Sequence, residues 1–316
     1  MTKDEWLVVG NGAIGLLWAS KLRQLGEPVT VLCRRDVPSD LLTVEDLDED
    51  GSQQYTEYDI RFISKDQLEG KYTKVLLCTK AFDLVAAYLD IRKHTKKRGL
   101  VATLCNGLGA QHDLIAHLKK HQNLWAGTTS EGAQKLSINR VKKTGLGDTF
   151  FGLLTDADEN FFGKEFPYPG VQCENIERRL IEKLAINAVI NPLTAIFSVR
   201  NGQVLETPIR EIFDAAVAEL AQIMQSSTFK YAELVSDLSH DQLHNRIANV
   251  ARLTALNCSS MFEDIRNHRK TENEYISGFF HRQTSNGQAP LQDAFYAALN
   301  DQSNLEMHKK KLLEMF

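Results

Sequence analysis

The residues best suited to chemistry form a polar stripe in an otherwise apolar segment. Residues 180–192 read LIEKLAINAVINP, in which Lys183, Asn187 and Asn191 recur at steps of four. Such steps advance only about 40° around an α-helix, so the three side chains share one face. Asparagine is a poor helix former, and a buried amide costs stability unless it is hydrogen-bonded. The stripe therefore predicts a polar ligand or a polar partner.

Lys183 has two interpretations. A partly apolar cleft disfavours the ammonium form of a lysine, which suits the side chain to act as a general acid. Alternatively, Lys183 extends to solvent while Asn187 and Asn191 bond to a neighbouring backbone. The stripe alone leaves both interpretations open.

A glycine loop near the N-terminus is the second chemical motif. The apolar residues 6–9 predict a buried strand, and helical spacing follows as far as Leu25. Between them lies the loop Gly10-Asn11-Gly12-Ala13-Ile14-Gly15. In this context the loop predicts dinucleotide binding, with the pyrophosphate on the N–H groups that open the helix. The alternative is a glycine-rich turn without a ligand.

The residues after the second predicted strand indicate which dinucleotide binds. NAD enzymes usually place an acidic residue there for the ribose 2′-hydroxyl, whereas this chain has Arg34 and Arg35. A guanidinium can hold a 2′-phosphate with two hydrogen bonds, so NADPH is favoured. An ordinary surface arginine pair is the alternative, and Asp36 lies nearby.

The wider pattern predicts two domains. Strand and helix patterns alternate through the first half, which indicates a doubly wound α/β domain of the Rossmann type. Residues 141–144 and 150–154 are predicted to close this domain, and residues 46–58 form a polar surface excursion. The second half is helical, with helices expected at residues 176–190, 208–225, 241–262 and 272–283 and at the C-terminus. The proline and glycine cluster at residues 167–170 places the boundary, giving domains 1–170 and 171–316.

Composition excludes several classes of protein. The net charge of −4 and the absence of a basic run argue against a nucleic-acid partner. Five dispersed cysteines without a CxxC pair argue against disulfides and against a metal site. The N-terminus does not read as a signal peptide, and no apolar stretch is expected to span a membrane. A cytoplasmic enzyme is the expectation, and a homodimer is possible.

Several segments, in order along the chain, resemble one family, the ketopantoate reductases (2-dehydropantoate 2-reductases). They are the glycine loop, residues 79–81 (TKA), 106–109 (NGLG), 182–195 (EKLAINAVINPLTA), 201–202 (NG), 259–266 (SSMFEDIR), 271–272 (TE) and 275–279 (YISGF). The resemblance implies reduction of ketopantoate to pantoate with NADPH, in pantothenate and coenzyme A biosynthesis. It also implies an all-α C-terminal domain like that of 6-phosphogluconate dehydrogenase.

The resemblance further implies a set of residue roles. Lys183 is expected to protonate the nascent alkoxide, and Glu272 to orient the substrate with it. The expected substrate ligands are Lys80, Asn106, Asn187, Asn191, Asn201 and Ser260. Lys80 and Asn106 are also expected to contact the cofactor, and Arg34 its 2′-phosphate.

Other interpretations remain open for the site and for the function. Apart from the resemblance, Glu272 reads as part of a capping box that begins at Thr271. Cys78 and Cys105 read as packing residues. The chain is alternatively a reductase of another small 2-keto acid, or a non-catalytic NADPH sensor.

Overall fold

The computed structural model describes residues 2–37, 39–47, 51–155, 166, 169–284 and 288–316. The chain divides into two compact units. Unit 1 comprises Met1–Cys105 and Ala110–Ile176, and unit 2 comprises Asn106–Gly109 and Glu177–Phe316. Pro167 and Tyr168, in the predicted boundary, lie outside the described residues, so the boundary at residue 170 stays a prediction.

Twelve strands and ten helices are present among the described residues. The strands are β1 Thr2–Val9, β2 Val29–Leu32, β3 Leu41–Leu47, β4 Gln53–Asp59, β5 Arg61–Ile63, β6 Lys71–Leu77, β7 Thr95–Leu104, β8 Asn123–Thr129, β9 Gly132–Ser137, β10 Arg140–Gly145, β11 Thr149–Leu153 and β12 Val171–Gln172. The helices are α1 Ala13–Gln24, α2 Leu84–Ile91, α3 Ala110–Ile115, α4 Ile176–Phe197, α5 Ile209–Gln225, α6 His240–Leu253, α7 Ser260–Arg266, α8 Ser277–Gln283, α9 Pro290–Asn300 and α10 Leu305–Leu313.

The main sheet of unit 1 has the strand order β12-β11-β8-β7-β6-β1-β2-β5. Strands β5, β2, β1, β6, β7 and β8 are parallel, whereas β11 runs antiparallel to β8. Strand β1 lies between β2 and β6, with Val9 paired to Leu32 on one side and to Leu77 on the other. Buried apolar residues fill these strands, as expected for a sheet covered on both faces. The predicted α/β fold class is confirmed.

A second sheet, of order β4-β3-β10-β9, was not predicted. The expectation that residues 141–144 close the main sheet is wrong, because β10 pairs with β3 and β9 instead. The polar stretch expected as a surface excursion contributes to β3 and β4, and its residues 48–50 lie outside the described residues. Strand β4 is exposed or half-buried along its whole length, so it lacks the apolar alternation that marks a strand. Helix α1 contacts strands of both sheets.

Unit 2 is helical, as predicted, but three of the predicted helices begin or end at other residues than expected. The helix expected at residues 241–262 stops at Leu253, and a new helix starts where the Ser259 hydroxyl accepts a hydrogen bond from the Phe262 amide (3.0 Å). The helix expected at residues 272–283 begins only at Ser277. A separate 3₁₀ turn spans Asn273–Tyr275, and Ile276 (φ −116°, ψ −92°) interrupts the helical backbone between them.

Helix α4 continues past its predicted end because Pro192 is accommodated inside it. A proline has no N–H, so the Ala188 carbonyl loses the bond that residue 192 would otherwise donate. The buried side chain of Gln292 supplies the missing donor, from Nε2 to Ala188 O at 3.2 Å. Among the described residues, α4 alone reaches the length and apolar character of a membrane span, whereas the sequence pattern predicted a shorter helix. It is a core helix, since 78% of its most apolar window is buried.

Candidate active site

The glycine loop of unit 1 is shaped for a ligand at its middle glycine. A Cβ at Gly15 would come within 2.0 Å of Gly10 O, so this glycine is required by the packing of α1 against β1. A Cβ at Gly12 would meet only Cys78 O, at 3.9 Å, which leaves open space above the loop. Gly12 is the N-cap residue of α1, and it has no side chain that could bond to the N–H groups of the first turn. The first-turn N–H groups of α1 are therefore available to a pyrophosphate, and the loop fits a dinucleotide.

The other predicted cofactor residues of unit 1 lie near the same sheet end. Asn11 donates from Nδ2 to Ile138 O (3.1 Å), which ties the loop to the turn between β9 and β10. Arg34 follows β2 and forms an ion pair with Asp83, with most of its side chain exposed. Lys80 is half-buried and precedes the 3₁₀ turn Ala81–Asp83 that follows β6. Asp83 was not singled out from the sequence, because nothing local distinguishes it from a surface acid.

The polar stripe of unit 2 lies on α4 as predicted. Lys183 and Asn187 are half-buried and Asn191 is buried, with 7% of its surface exposed. Thr194 Oγ1 lies 2.8 Å from the Ile190 carbonyl and 3.0 Å from the Asn191 carbonyl, to which its single proton can be donated, and 2.7 Å from Ser259 Oγ. The C-terminal part of the stripe is thus held by buried hydroxyl contacts near the start of α7.

Lys183, Asn106 and Glu272 form a connected polar group in unit 2, called here the lysine–glutamate bridge. Lys183 Nζ donates to Asn106 Oδ1 at 3.2 Å, and Asn106 Nδ2 donates to Glu272 Oε2 at 3.2 Å. One amide therefore faces a cation with its oxygen and an anion with its nitrogen. Both bonds involve a charged partner, which makes each stronger than a neutral hydrogen bond. Asn106 fixes the relative position of an ammonium donor and a buried carboxylate.

Glu272 does not act as a helix cap. Its side chain is buried (4% exposed) and makes no capping bond to the 3₁₀ turn that it precedes. The Thr271 hydroxyl accepts instead from the Asn273 amide, at 3.3 Å. Thr271 thus makes the kind of hydrogen bond expected of the cap in the predicted capping box, whereas the Glu272 carboxylate is directed to Asn106.

Asn106 is held in place by the backbone that follows it. Gly107 has φ +82°, and a Cβ there would come within 2.5 Å of Tyr275 O. The same carbonyl accepts a hydrogen bond from the Leu108 amide (3.1 Å). The Asn-Gly pair thus combines the Asn106 amide with a glycine that close backbone approach requires. The backbone that Gly107 approaches is that of Tyr275, three residues after Glu272.

Two further predicted substrate residues have different settings. Asn201 is buried and donates from Nδ2 to Thr254 Oγ1 (2.9 Å), while its backbone amide donates to Asn257 O (3.0 Å). Its Oδ1 has no partner among the described residues. Ser260 is exposed at the start of α7. The structure brings Asn106 to Lys183 and Glu272, and it places Asn201 against the loop after α6.

Metal and thiol chemistry receive no support from the described residues. They contain no group of three or more histidine, cysteine or acidic side chains that could hold a metal ion. Burial raises the pKa of Cys33 to about 11 and that of Cys78 still further, so neither thiol is an activated nucleophile. Cys78 packs in the core of unit 1, as predicted.

Two family profiles match the chain over most of its length. The profile described as "Ketopantoate reductase PanE/ApbA" matches residues 6–156, and "Ketopantoate reductase PanE/ApbA C terminal" matches residues 175–302. A 2-dehydropantoate 2-reductase of Vibrio cholerae serotype O1 is 30% identical over 278 residues, which cover 86% of this chain and 88% of that protein.

Solved structures share the fold at lower identity. A probable 2-dehydropantoate 2-reductase from Bacillus subtilis superposes with a TM-score of 0.73 at 23% identity, covering 94% of this chain and 99% of the other. D-mandelate dehydrogenase with NADH and anilino(oxo)acetate gives 0.73 at 22% identity, covering 95% and 100%. The profile matches and the 30% identity across both proteins show that this chain belongs to the ketopantoate reductase family.

Proposed function

We propose that this protein reduces ketopantoate to pantoate with NADPH, in the biosynthesis of pantothenate and coenzyme A. The observation that carries the proposal is the lysine–glutamate bridge, in which Asn106 is hydrogen-bonded both to Lys183 and to the buried Glu272. This is the arrangement needed to hold a proton donor and a substrate-orienting acceptor in fixed positions.

The chain's own residues perform the proton chemistry. A nicotinamide held by unit 1 would supply the hydride that reduces the C2 carbonyl carbon of the substrate. Lys183 Nζ donates its proton to the carbonyl oxygen as negative charge develops there, and its positive charge stabilises that oxygen. Glu272 accepts a hydrogen bond from the substrate hydroxyl and holds the carbonyl toward Lys183. Asn187, Asn191, Asn201 and Ser260 offer further polar contacts to a small hydroxylated anion.

The cofactor is assigned to unit 1. Gly10 to Gly15 would hold the pyrophosphate, because the loop leaves room at Gly12 and presents the first turn of α1. Arg34 would hold the 2′-phosphate, and Lys80 would also contact the cofactor. On the same family assignment we also propose a cytoplasmic location and a homodimer. Size-exclusion chromatography with light scattering measures the oligomeric state.

The test follows cofactor oxidation at 340 nm. Ketopantoate and a panel of branched 2-keto acids are each assayed with NADPH and, separately, with NADH. We expect the highest kcat/KM for ketopantoate with NADPH. Lys183→Ala should lower kcat by about 10²–10⁴-fold, the usual contribution of a general acid, while NADPH binding persists. Lys310→Ala, at an exposed lysine on α10, is the matched control and should leave kcat unchanged.

Three outcomes separate the alternatives. Near-normal turnover by Lys183→Ala would exclude the proposed proton donor. Equal or higher kcat/KM with another 2-keto acid would assign the enzyme to that substrate. Tight NADPH binding without turnover of any keto acid would identify a non-catalytic sensor.

A further inference from the structure

The ion pair between Arg34 and Asp83 joins two segments of unit 1 that follow different strands. Arg34 Nη2 donates to Asp83 Oδ2. The Arg34 side chain is 80% exposed and that of Asp83 is 32% exposed, so both remain accessible to a ligand. Arg34 lies two residues after β2, and Asp83 lies six residues after β6.

The sheet topology places this ion pair above the end of β1. Strands β2 and β6 flank β1, and all three run parallel, so their carboxyl ends lie at one edge of the sheet. The glycine loop begins directly after β1, at Gly10. An ion pair that connects the segments after β2 and β6 therefore crosses the position where the loop starts. In open parallel sheets this is the edge at which the adenosine ribose of a dinucleotide binds.

The carboxylate of Asp83 affects the two nicotinamide cofactors differently. NADPH presents a 2′-phosphate of about two negative charges, whereas NADH presents a neutral 2′-hydroxyl. A carboxylate on the guanidinium occupies one of its five N–H donors and offsets its charge, so the phosphate competes with Asp83 for Arg34. The 2′-hydroxyl instead can donate a hydrogen bond to a carboxylate, as it does to the acidic residue of NAD enzymes.

We propose that Asp83 is a specificity-determining residue that lowers the preference of this protein for NADPH over NADH by competing with the 2′-phosphate for Arg34. The inference rests on the proposed function, in which Arg34 binds that phosphate. It assigns the cofactor preference to an opposed pair of side chains rather than to Arg34 alone.

The experiment measures the Kd of NADPH and of NADH by isothermal titration calorimetry at low and high salt. Asp83→Asn should tighten NADPH binding by about three- to fivefold, the range of an exposed charge interaction, and change NADH binding by less than about twofold. The gain should shrink at high salt because ions screen exposed charges. Asp83→Ala, which also removes the acceptor oxygens, should weaken NADH binding while still tightening NADPH binding.

A control variant and a second background complete the design. Asp90→Asn removes a similar exposed charge from α2, where Asp90 pairs with Lys65, and should leave both Kd values unchanged. In Arg34→Ala the effect of Asp83→Asn on NADPH should fall below about twofold, because the competition requires the guanidinium. The side chain of Asp83 makes no capping bond to α2, so its replacement leaves that helix intact.

The outcomes distinguish this inference from the proposed function. Three results would overturn the role of Asp83 and leave the proposed function standing. They are weaker NADPH binding by Asp83→Asn, an equal change in the Kd of both cofactors, and the same change in Asp90→Asn. If Arg34→Ala leaves the ratio of the two Kd values unchanged, the cofactor assignment itself fails, and the role of Asp83 fails with it.

Discussion

The bond between Gln292 and the carbonyl freed by Pro192 offers a direct test of how α4 is held. Ala188 and Gln292 are both fully buried, and the bond from Gln292 Nε2 to Ala188 O is 3.2 Å long. Gln292→Met keeps the length and approximate volume of the side chain but removes the donor. The Ala188 carbonyl then lies buried without the donor that compensates for Pro192.

The expected magnitude follows from what is left unpaired. A buried carbonyl that loses its hydrogen bond costs about 1–3 kcal/mol. The Gln292 Oε1 atom has no partner among the described residues, so removing it offsets part of that cost. The single variant should therefore lose about 1 kcal/mol in the free energy of unfolding.

A double-mutant cycle isolates the bond from this offset. Pro192→Ala restores a backbone N–H that can bond to Ala188 O within the helix. In that background Gln292→Met should be less destabilising, by an interaction energy of about 1–2 kcal/mol. The Oε1 atom disappears in both backgrounds, so its contribution cancels.

The assay is urea unfolding followed by circular dichroism at 222 nm, which reports the helices. All three tryptophans, at positions 6, 18 and 125, lie in unit 1, so their fluorescence follows that unit separately. Gln302→Met is the control, since Gln302 is exposed and its change should stay within about 0.5 kcal/mol. An equal cost of Gln292→Met in both backgrounds, to within about 0.5 kcal/mol, would refute the reasoning.

Three further predictions concern single residues of unit 2. Asn106→Leu removes both bonds of the lysine–glutamate bridge and should lower kcat/KM for ketopantoate by about 10²-fold, the cost of a misplaced catalytic group; wild-type kinetics would contradict this. Glu219 accepts the Leu291 and Gln292 amides at the start of α9, and burial raises its pKa. A carboxyl whose pKa is raised in the folded state stabilises the fold below its unfolded-state pKa, and this stabilisation is lost as the pH rises through the folded-state pKa. The wild type should therefore lose stability relative to Glu219→Gln as the pH rises above about 4.5, and parallel curves in urea unfolding would contradict this. Ser198 holds a left-handed conformation (φ +56°) just after α4, so Ser198→Gly should raise the free energy of unfolding by about 0.5–1 kcal/mol, and a loss of stability would argue against that strain.

Local patterns predicted the elements whose signals are contained in neighbouring residues. The apolar strand, glycine loop and amphipathic helix at the N-terminus were predicted in their order, as was the polar stripe on α4. The second sheet was missed because β4 exposes both faces and so shows no alternation. The break before α7 was missed because helical spacing continues across it, although Ser259 is a recognisable cap.

The residue types and the family were set by the sequence alone, whereas the partners of those residues were decided by the tertiary structure. Lys183 lies 77 residues from Asn106, and Glu272 lies 166 residues from it. Nothing in the residues beside Glu272 distinguishes the first-turn acid of a capping box from a buried acceptor, and the local pattern favoured the capping box. Nothing beside Arg34 indicates that Asp83 shares it. Helical and strand periodicity depend on near neighbours, but a contact across such separations depends on how the whole core packs, and only the folded chain decides it.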